Sequence, residues 1–199
     1  AGRLREHHQF GMECFGGREP TVEAELINAL MTLLTGLGLK NLSVHINSIG
    51  CKECRPLYHE RLRAYLGDRL SELCPTCRER FDKNPLRILD CKEEKCQLIV
   101  KDAPSILDCL CDDCRSHFER LQALLTAQGI PFAVDPHIVR GLDYYTRTVF
   151  EIIMQTGKEG LALCGGGRYD GLVGELGGPD TPAAGFGIGT ERILMELKN

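Results

Sequence analysis

An α+β fold is predicted: strands forming an antiparallel sheet, helices flanking it, and a small, mainly helical insertion rich in cysteine. Three observations carry the prediction. Leu42, Val44 and Ile46 alternate with Ser43, His45 and Asn47, the period-two pattern of a half-buried strand. A second apolar run, 148–154, is followed by a turn at 157–160 and a returning segment at 161–164. Between these strands, from Cys51 onward, the texture shifts to short helical patterns, and every cysteine except Cys14 and Cys164 lies within 51–114.

Taken in order, the first element is a strand over 2–15. Period two puts Arg3, Arg5, Gln9 and Glu13 on one face and Leu4, His8, Phe10, Met12 and Cys14 on the other. Cations at one end of a face and an amide and carboxylate at the other are costly to bury without a ligand or partners; a solvated sheet face is the competing reading. Pro20 and Thr21 start a helix whose apolar stripe is Val22, Leu26, Ala29, Leu30, Leu33 and Leu37, with Glu23 and Glu25 favoured by its positive N-terminus. Gly36 and Gly38 stop it. The strand at 42–47 ends at Ser48 and Gly50, and His45, on its polar face, is expected to be exposed. Helical spacing over 57–73 runs through Tyr58, Leu62, Tyr65 and Leu66, Asn84-Pro85 breaks the chain, and 105–125 resumes helix before Gly129. A short strand at 130–134 follows. The last segment, 183–194, is a glycine-rich strand passing into a helix with Thr190 as candidate N-cap.

The balance of 24 basic and 28 acidic residues gives a net charge of −4, which demands no nucleic-acid partner, so any such contact must come from local patches. No apolar run approaches the ~18 residues that span a bilayer, and no signal-peptide pattern opens the chain, so a soluble, cytoplasmic protein without membrane partners is expected. The 11 cysteines, odd in number and grouped in Cys-x-x-Cys pairs, fit reduced thiols or a metal better than disulfides. Cys51-x2-Cys54 and Cys74-x2-Cys77, 19 residues apart, fit a four-thiolate zinc site. Cys91, Cys96, Cys109, Cys111 and Cys114 supply alternative ligands, and free thiols in a small helical domain are the competing reading.

The densest chemistry lies in Arg140-Gly141-Leu142-Asp143-Tyr144-Tyr145-Thr146-Arg147-Thr148-Val149-Phe150-Glu151 and in Cys164-Gly165-Gly166-Gly167-Arg168-Tyr169-Asp170-Gly171. Three arginines, two aspartates, an adjacent tyrosine pair and a glycine run suit a site for a small polar, anionic ligand; a Tyr-rich hairpin with a Gly-rich turn is the plain alternative. Both segments resemble the signature motifs that set histidyl-tRNA synthetases apart from other class II aminoacyl-tRNA synthetases. His7-His8-Gln9-Phe10-Gly11-Met12-Glu13 resembles the returning strand of class II motif 2 in its histidine-specific form, and the 183–194 segment resembles motif 3.

The resemblance implies the class II antiparallel sheet flanked by helices, with a helical insertion. Its domains are catalytic core over 1–50, insertion over 51–116 and catalytic core again over 117–199. It implies activation of histidine by ATP to histidyl-adenylate and transfer to tRNA(His). Gln9 then holds the amino and carboxylate end of histidine and also takes part in ATP binding, while Glu13 and Tyr145 bond opposite sides of the imidazole. Tyr169 helps hold the amino group, and Arg140 bridges the histidine carboxylate and the α-phosphate. Arg3 and Arg192 address ATP, and Gly165, Gly166 and Gly167 leave room for backbone to approach the substrate. Magnesium is expected on the ATP phosphates, and a homodimer is expected for the full-length protein. In the family the insertion lies over the tRNA acceptor arm. Arg55, Arg61, Arg63, Arg78, Arg80 and Lys83 are candidates for phosphate contact there, although equally dense acidic neighbours favour a solvated surface for most of them. Set against the family, the sequence lacks motif 1, the outgoing motif 2 strand with its arginine, and the upstream acidic and threonine residues, which implies an internal fragment of a longer synthetase. Two other readings compete: a non-catalytic, histidine-binding regulatory relative from histidine biosynthesis, and a zinc-containing nucleic-acid-binding module.

Overall fold

The computed structural model describes residues 6–140, 143–156 and 159–198. Arg3, Leu4 and Arg5, and part of the turn expected at 157–160, lie outside them. The elements in chain order are β1 (Gln9–Phe15), α1 (Thr21–Gly36), β2 (Leu42–Ser48), α2 (Cys54–Gly67), α3 (Pro75–Lys83), α4 (Glu94–Val100), α5 (Asp112–Ala127), β3 (Phe132–Val134), β4 (Thr146–Thr156), β5 (Glu159–Arg168), α6 (Leu172–Glu175), β6 (Ala183–Gly189) and α7 (Thr190–Leu197).

The strands form one six-stranded sheet in the order β1-β6-β5-β4-β2-β3. Four of the pairings are antiparallel, but β2 and β3 run parallel, so the sheet is mixed rather than purely antiparallel. The exception follows from the connection: the chain leaves β2, passes through the helices and returns along α5, and a crossover of that kind delivers a strand in the same direction.

Residues directly opposite one another share a face of the sheet. Val44, Ile46, Phe150, Ile152, Phe186 and Ile188 are buried on one face, under Ile27, Leu30 and Leu34 of α1 and Phe118, Leu121 and Leu125 of α5. The stripe of α1 is thus rotated from the expected one. Leu26 and Leu30 are buried as expected, whereas Ala29, Leu33 and Leu37 face outward and Ala24, Ile27 and Leu34 face the core. The helix is apolar over a broad arc, and its position between sheet and α5 selects which part of the arc is used. The helices stop short of the edge strand β1, whose Phe10 and Met12 remain 46% and 48% exposed.

Further expectations shift locally. The 105–125 helix is broken: a 3₁₀ turn at Ile106–Cys109 precedes α5, with Leu110 and Cys111 extended between them. Thr190 is the first residue of α7 and makes no side-chain cap; its backbone N–H donates instead to the carbonyl of His8, tying α7 to the start of β1. His45 is half-buried beside Asp135 rather than exposed, with Nδ1 and Oδ2 3.6 Å apart.

The helices between β2 and β3 enclose a second, smaller core. Tyr58, Leu62, Leu66, Leu73, Ile88, Val100 and Ile106 fill it together with buried cysteines. Two tyrosines close its rim by donating to main-chain carbonyls, Tyr58 to Pro104 at 3.0 Å and Tyr65 to Ile99 at 2.8 Å.

Candidate active site

The sheet face opposite the core helices has a floor of backbone. The row Glu151, Gly165, Gly187 and Gly11 crosses four strands, and the next site-facing row is Val149, Gly167, Gly185 and Glu13. The missing side chains make room for neighbours. A Cβ on Gly185 would collide with the Glu13 carboxylate, one on Gly187 with the Gln9 amide, and one on Gly165 with the Arg140 guanidinium. The expectation that Gly165, Gly166 and Gly167 admit a substrate to the backbone is therefore corrected. Gly165 admits Arg140, and Gly167 admits Tyr145 and the Thr148 carbonyl. Gly166 faces the core, where a Cβ would meet Phe150 and Phe186. Gly185 and Gly187, not singled out in the sequence, do for Glu13 and Gln9 what Gly165 does for Arg140.

Above this floor is a cavity of about 890 Å³. Gln9, Glu13, Arg140, Tyr145, Tyr169 and Arg192 all line it, so residues spread over most of the sequence meet in one place. Arg140 Nη1 donates to Glu151 Oε1 at 2.9 Å, and the guanidinium carbon lies 5.6 Å from the centre of the Tyr145 ring. Burial pushes the Glu151 carboxyl above its ordinary range, and the Arg140 charge only partly opposes this. Arg140 Nε is buried without a partner among the described residues. Glu151 closes the 140–151 segment, and its signal in the sequence is a carboxylate inside the otherwise apolar run 149–154.

Tyr169 donates its hydroxyl to the Glu13 carboxylate. Burial and this bond push the Tyr169 phenol well above the usual tyrosine range. Tyr144, Tyr145 and Tyr169 form a cluster with ring centres 4.6, 5.7 and 6.3 Å apart, and burial, then the Tyr145 neighbour, pushes Tyr144 to about 12. Tyr144 and Tyr169 are thereby kept as neutral donors at physiological pH. A carboxylate has about four acceptor positions, so Glu13 keeps acceptors for a ligand N–H beside its bond from Tyr169. At the other end of the cavity Arg192, in the first turn of α7, donates to the Ala162 carbonyl at 2.5 Å.

Behind the floor, Arg168 from the second quoted segment is wholly buried. Its guanidinium donates to Glu23 at 2.8 and 2.5 Å, to Asp170 at 2.9 Å, and to the carbonyls of Gly17 and Glu19. His117 Nε2 lies 2.6 Å from the same Glu23. Burial alone would raise the Glu23 carboxyl; the bonds from Arg168 and His117 outweigh it and hold the group at about 2. Glu23, expected only to favour a helix end, instead ties α1 to β5 and α5.

The cysteines do not assemble as the spacing suggested. Cys51 and Cys54 meet Cys111 and Cys114, while Cys74 and Cys77 meet Cys91 and Cys96, with all four sulfurs of each group within 4.8 Å of one another. The predicted quartet is split because Cys51 and Cys54 lie where the chain leaves β2 and Cys74 and Cys77 begin α3, beyond the whole length of α2. Cys109 is buried in the small core outside both groups.

The mixed, mainly antiparallel six-stranded sheet with helices inserted between its strands is the fold of a class II aminoacyl-tRNA synthetase. A family model described as histidyl-tRNA synthetase matches residues 95–193. The chain belongs to the histidyl-tRNA synthetase family. It is 55% identical over 198 residues to the histidine–tRNA ligase of Moorella thermoacetica and 55% identical over 199 residues to that of Caldanaerobacter subterraneus. All of this chain is covered in both cases, with 47% and 48% of those relatives. Apo histidyl-tRNA synthetase from S. aureus superposes with a TM-score of 0.78 at 38% identity, over 98% of this chain and 47% of that one. A Bacillus halodurans structure titled ATP phosphoribosyltransferase regulatory subunit/histidyl-tRNA synthetase, at 21% identity and a TM-score of 0.62 over 100% of this chain and 55% of that one, shares the fold. The chain spans about half the length of the curated relatives it matches.

Proposed function

We propose that the chain forms the histidine-activating part of a histidine–tRNA ligase, joining histidine and ATP to give histidyl-adenylate and pyrophosphate before transfer to tRNA(His). The observation that carries this is the convergence of Gln9, Glu13, Arg140, Tyr145, Tyr169 and Arg192 on one cavity above a glycine floor.

The difficulty of the reaction is to bring a carboxylate against an α-phosphate despite their repulsion and to stabilise the charge of the in-line displacement. Arg140 suits the task. Glu151 fixes one end of its planar fork, and the buried Nε, without a partner among the described residues, is a donor for a ligand oxygen. Glu13 accepts from one side of the imidazole and Tyr145 bonds the other, while Gln9 holds the polar end and takes part in ATP binding. Tyr169, bonded to Glu13, orients that carboxylate, and it helps hold the amino group. A pocket with a partner for each ring nitrogen discriminates by leaving its own polar groups unpaired when the wrong amino acid enters. Arg192 packs on the adenine and reaches phosphate, and Arg3, outside the described residues, addresses the phosphates as well. Magnesium accompanies ATP and binds through few protein ligands.

Residues 51–116 form the insertion and 1–50 with 117–199 the catalytic core. The full-length protein is a cytoplasmic homodimer, and no described helix is long and apolar enough to cross a membrane. Histidine-dependent exchange between ATP and pyrophosphate, measured in the full-length context, tests the reading. Exchange that requires histidine and falls sharply in Glu13→Gln is expected. Histidine binding with exchange at background would overturn it in favour of a regulatory, binding-only relative.

A further inference from the structure

The two cysteine groups have the dimensions of metal sites. Cys51 and Cys54 sulfurs are 3.6 Å apart, Cys51 and Cys111 3.8 Å, and Cys74 and Cys91 3.8 Å. A regular tetrahedron of sulfurs around zinc, with arms of about 2.3 Å, has edges of about 3.8 Å. A disulfide needs about 2.05 Å, and all of these cysteines are free.

Their placement on the helices is a second, independent observation. Cys74 and Cys77 are the N-cap and third residue of α3, and Cys111 and Cys114 occupy the same two positions of α5. Cys54 is the first residue of α2 and Cys96 the third of α4. Of these, the longer helices α2, α3 and α5 point their positive ends at one group or the other, which favours thiolate over thiol. Backbone N–H groups donate to the sulfurs as well: Cys111 to Cys54 at 3.2 Å, Glu53 to Cys51 at 3.4 Å, Cys74 to Cys96 at 3.3 Å and Cys77 to Cys74 at 3.4 Å. Four thiolates around a divalent ion carry a formal charge of roughly −2, and such donors offset it.

We propose that the chain binds two zinc ions, one at Cys51, Cys54, Cys111 and Cys114 and one at Cys74, Cys77, Cys91 and Cys96, and that the first is a positioning site for the catalytic cavity. The two ions do different work. The second joins the starts of α3 and α4 and the link between them, and so consolidates a core too small to rely on apolar side chains alone. The first sits at the neck, where the chain passes from β2 into the helices and returns from them into α5. Beside it Ile49 and Gly50 pair with Arg147 through main-chain bonds of 2.7 and 2.8 Å. Arg55, the residue after Cys54, donates to the carbonyls of Ile49 and of Tyr145. An ion that fixes the first turn of α2 therefore fixes Arg55 and, through it, the Tyr145 backbone; the consequence for histidine rests on the function proposed above, whereas the metal content does not.

Metal analysis of protein purified without chelator should give two zinc ions per chain. Cys114→Ala and Cys77→Ala should each retain one, and Arg55→Ala should retain both while binding histidine about tenfold more weakly in the full-length context. Where a cysteine variant does not fold, titration of the demetallated wild-type chain with cobalt decides, two ions with the visible absorption of tetrahedral thiolate cobalt being expected. Fewer than one metal ion per chain with no such absorption, a single ion lost by both variants, or stoichiometric iron in place of zinc would overturn the proposal. Two zinc ions with unchanged histidine affinity in Arg55→Ala would overturn the positioning role.

Discussion

Replacing Glu23 with glutamine leaves the Arg168 charge inside the protein without its main counter-ion. Both side chains are fully buried and their closest contact is 2.5 Å. Removing one partner of a buried pair costs about 3–5 kcal/mol, because the remaining charge keeps its desolvation penalty. Arg168 keeps Asp170 at 2.9 Å and two main-chain carbonyls, which places the expected loss near the lower end. A second route gives a similar size. A carboxyl held at about 2 rather than 4.5 contributes about 3 kcal/mol at neutral pH. For a chain of 199 residues that loss lowers the melting temperature by roughly 6–12 °C. The sign with pH is fixed too. The folded value lies below the unfolded one, so the contribution is complete above about pH 4.5 and is lost as pH falls through about 2. Equilibrium urea unfolding of wild type and Glu23→Gln should show a difference of about 3 kcal/mol at pH 7 that shrinks by more than half near pH 3. A difference under about 1 kcal/mol at pH 7, or one independent of pH across that range, would refute the assignment of this network as a structural tie.

Arg140→Lys in the full-length context should slow histidine-dependent exchange roughly a hundredfold, since a point donor cannot bridge two oxygens as a planar fork does, while calorimetry finds histidine affinity changed far less; exchange within about threefold of wild type would make Arg140 structural. Gly187→Ala should displace the Gln9 amide and Gly185→Ala the Glu13 carboxylate, each raising the histidine KM at least about tenfold with little change in melting temperature; unchanged KM in both would mean the floor is not the constraint. Tyr169→Phe should weaken histidine binding about tenfold by freeing the Glu13 carboxylate to swing, and a variant with wild-type affinity in calorimetry would remove Tyr169 from the recognition set.

The residues of the cavity were legible because the two quoted segments and the Gln9 to Glu13 spacing are local patterns, and period two alone puts Gln9 and Glu13 on one face. The strands were legible for the same reason. What was hidden depended on contacts between distant segments. Glu23 at the start of a helix has an ordinary local explanation, and nothing nearby shows that Arg168, far along the chain, reaches it. Cysteine spacing shows which thiols lie close along the chain but not which turns meet, so the pairs were found and their partners were not. The glycine run suggested room for a ligand; only the register of β5 against β4 and β6 shows that the room is taken by Arg140 and Tyr145, and that Gly185 and Gly187 belong to the same floor.

A binding site laid on glycines has an uneven capacity to change. Its walls can be remade, because Tyr145, Tyr169, Gln9 and Glu13 can each be exchanged for something larger, smaller or of another polarity. Its floor has already reached the smallest residue available, so every substitution at Gly165, Gly185 or Gly187 adds volume and pushes a working side chain out of place. Variants selected for a bulkier amino acid must therefore gain their space at the rim, and substitutions that enlarge specificity should be absent from the rows of the sheet where Arg140, Gln9 and Glu13 lie against main chain.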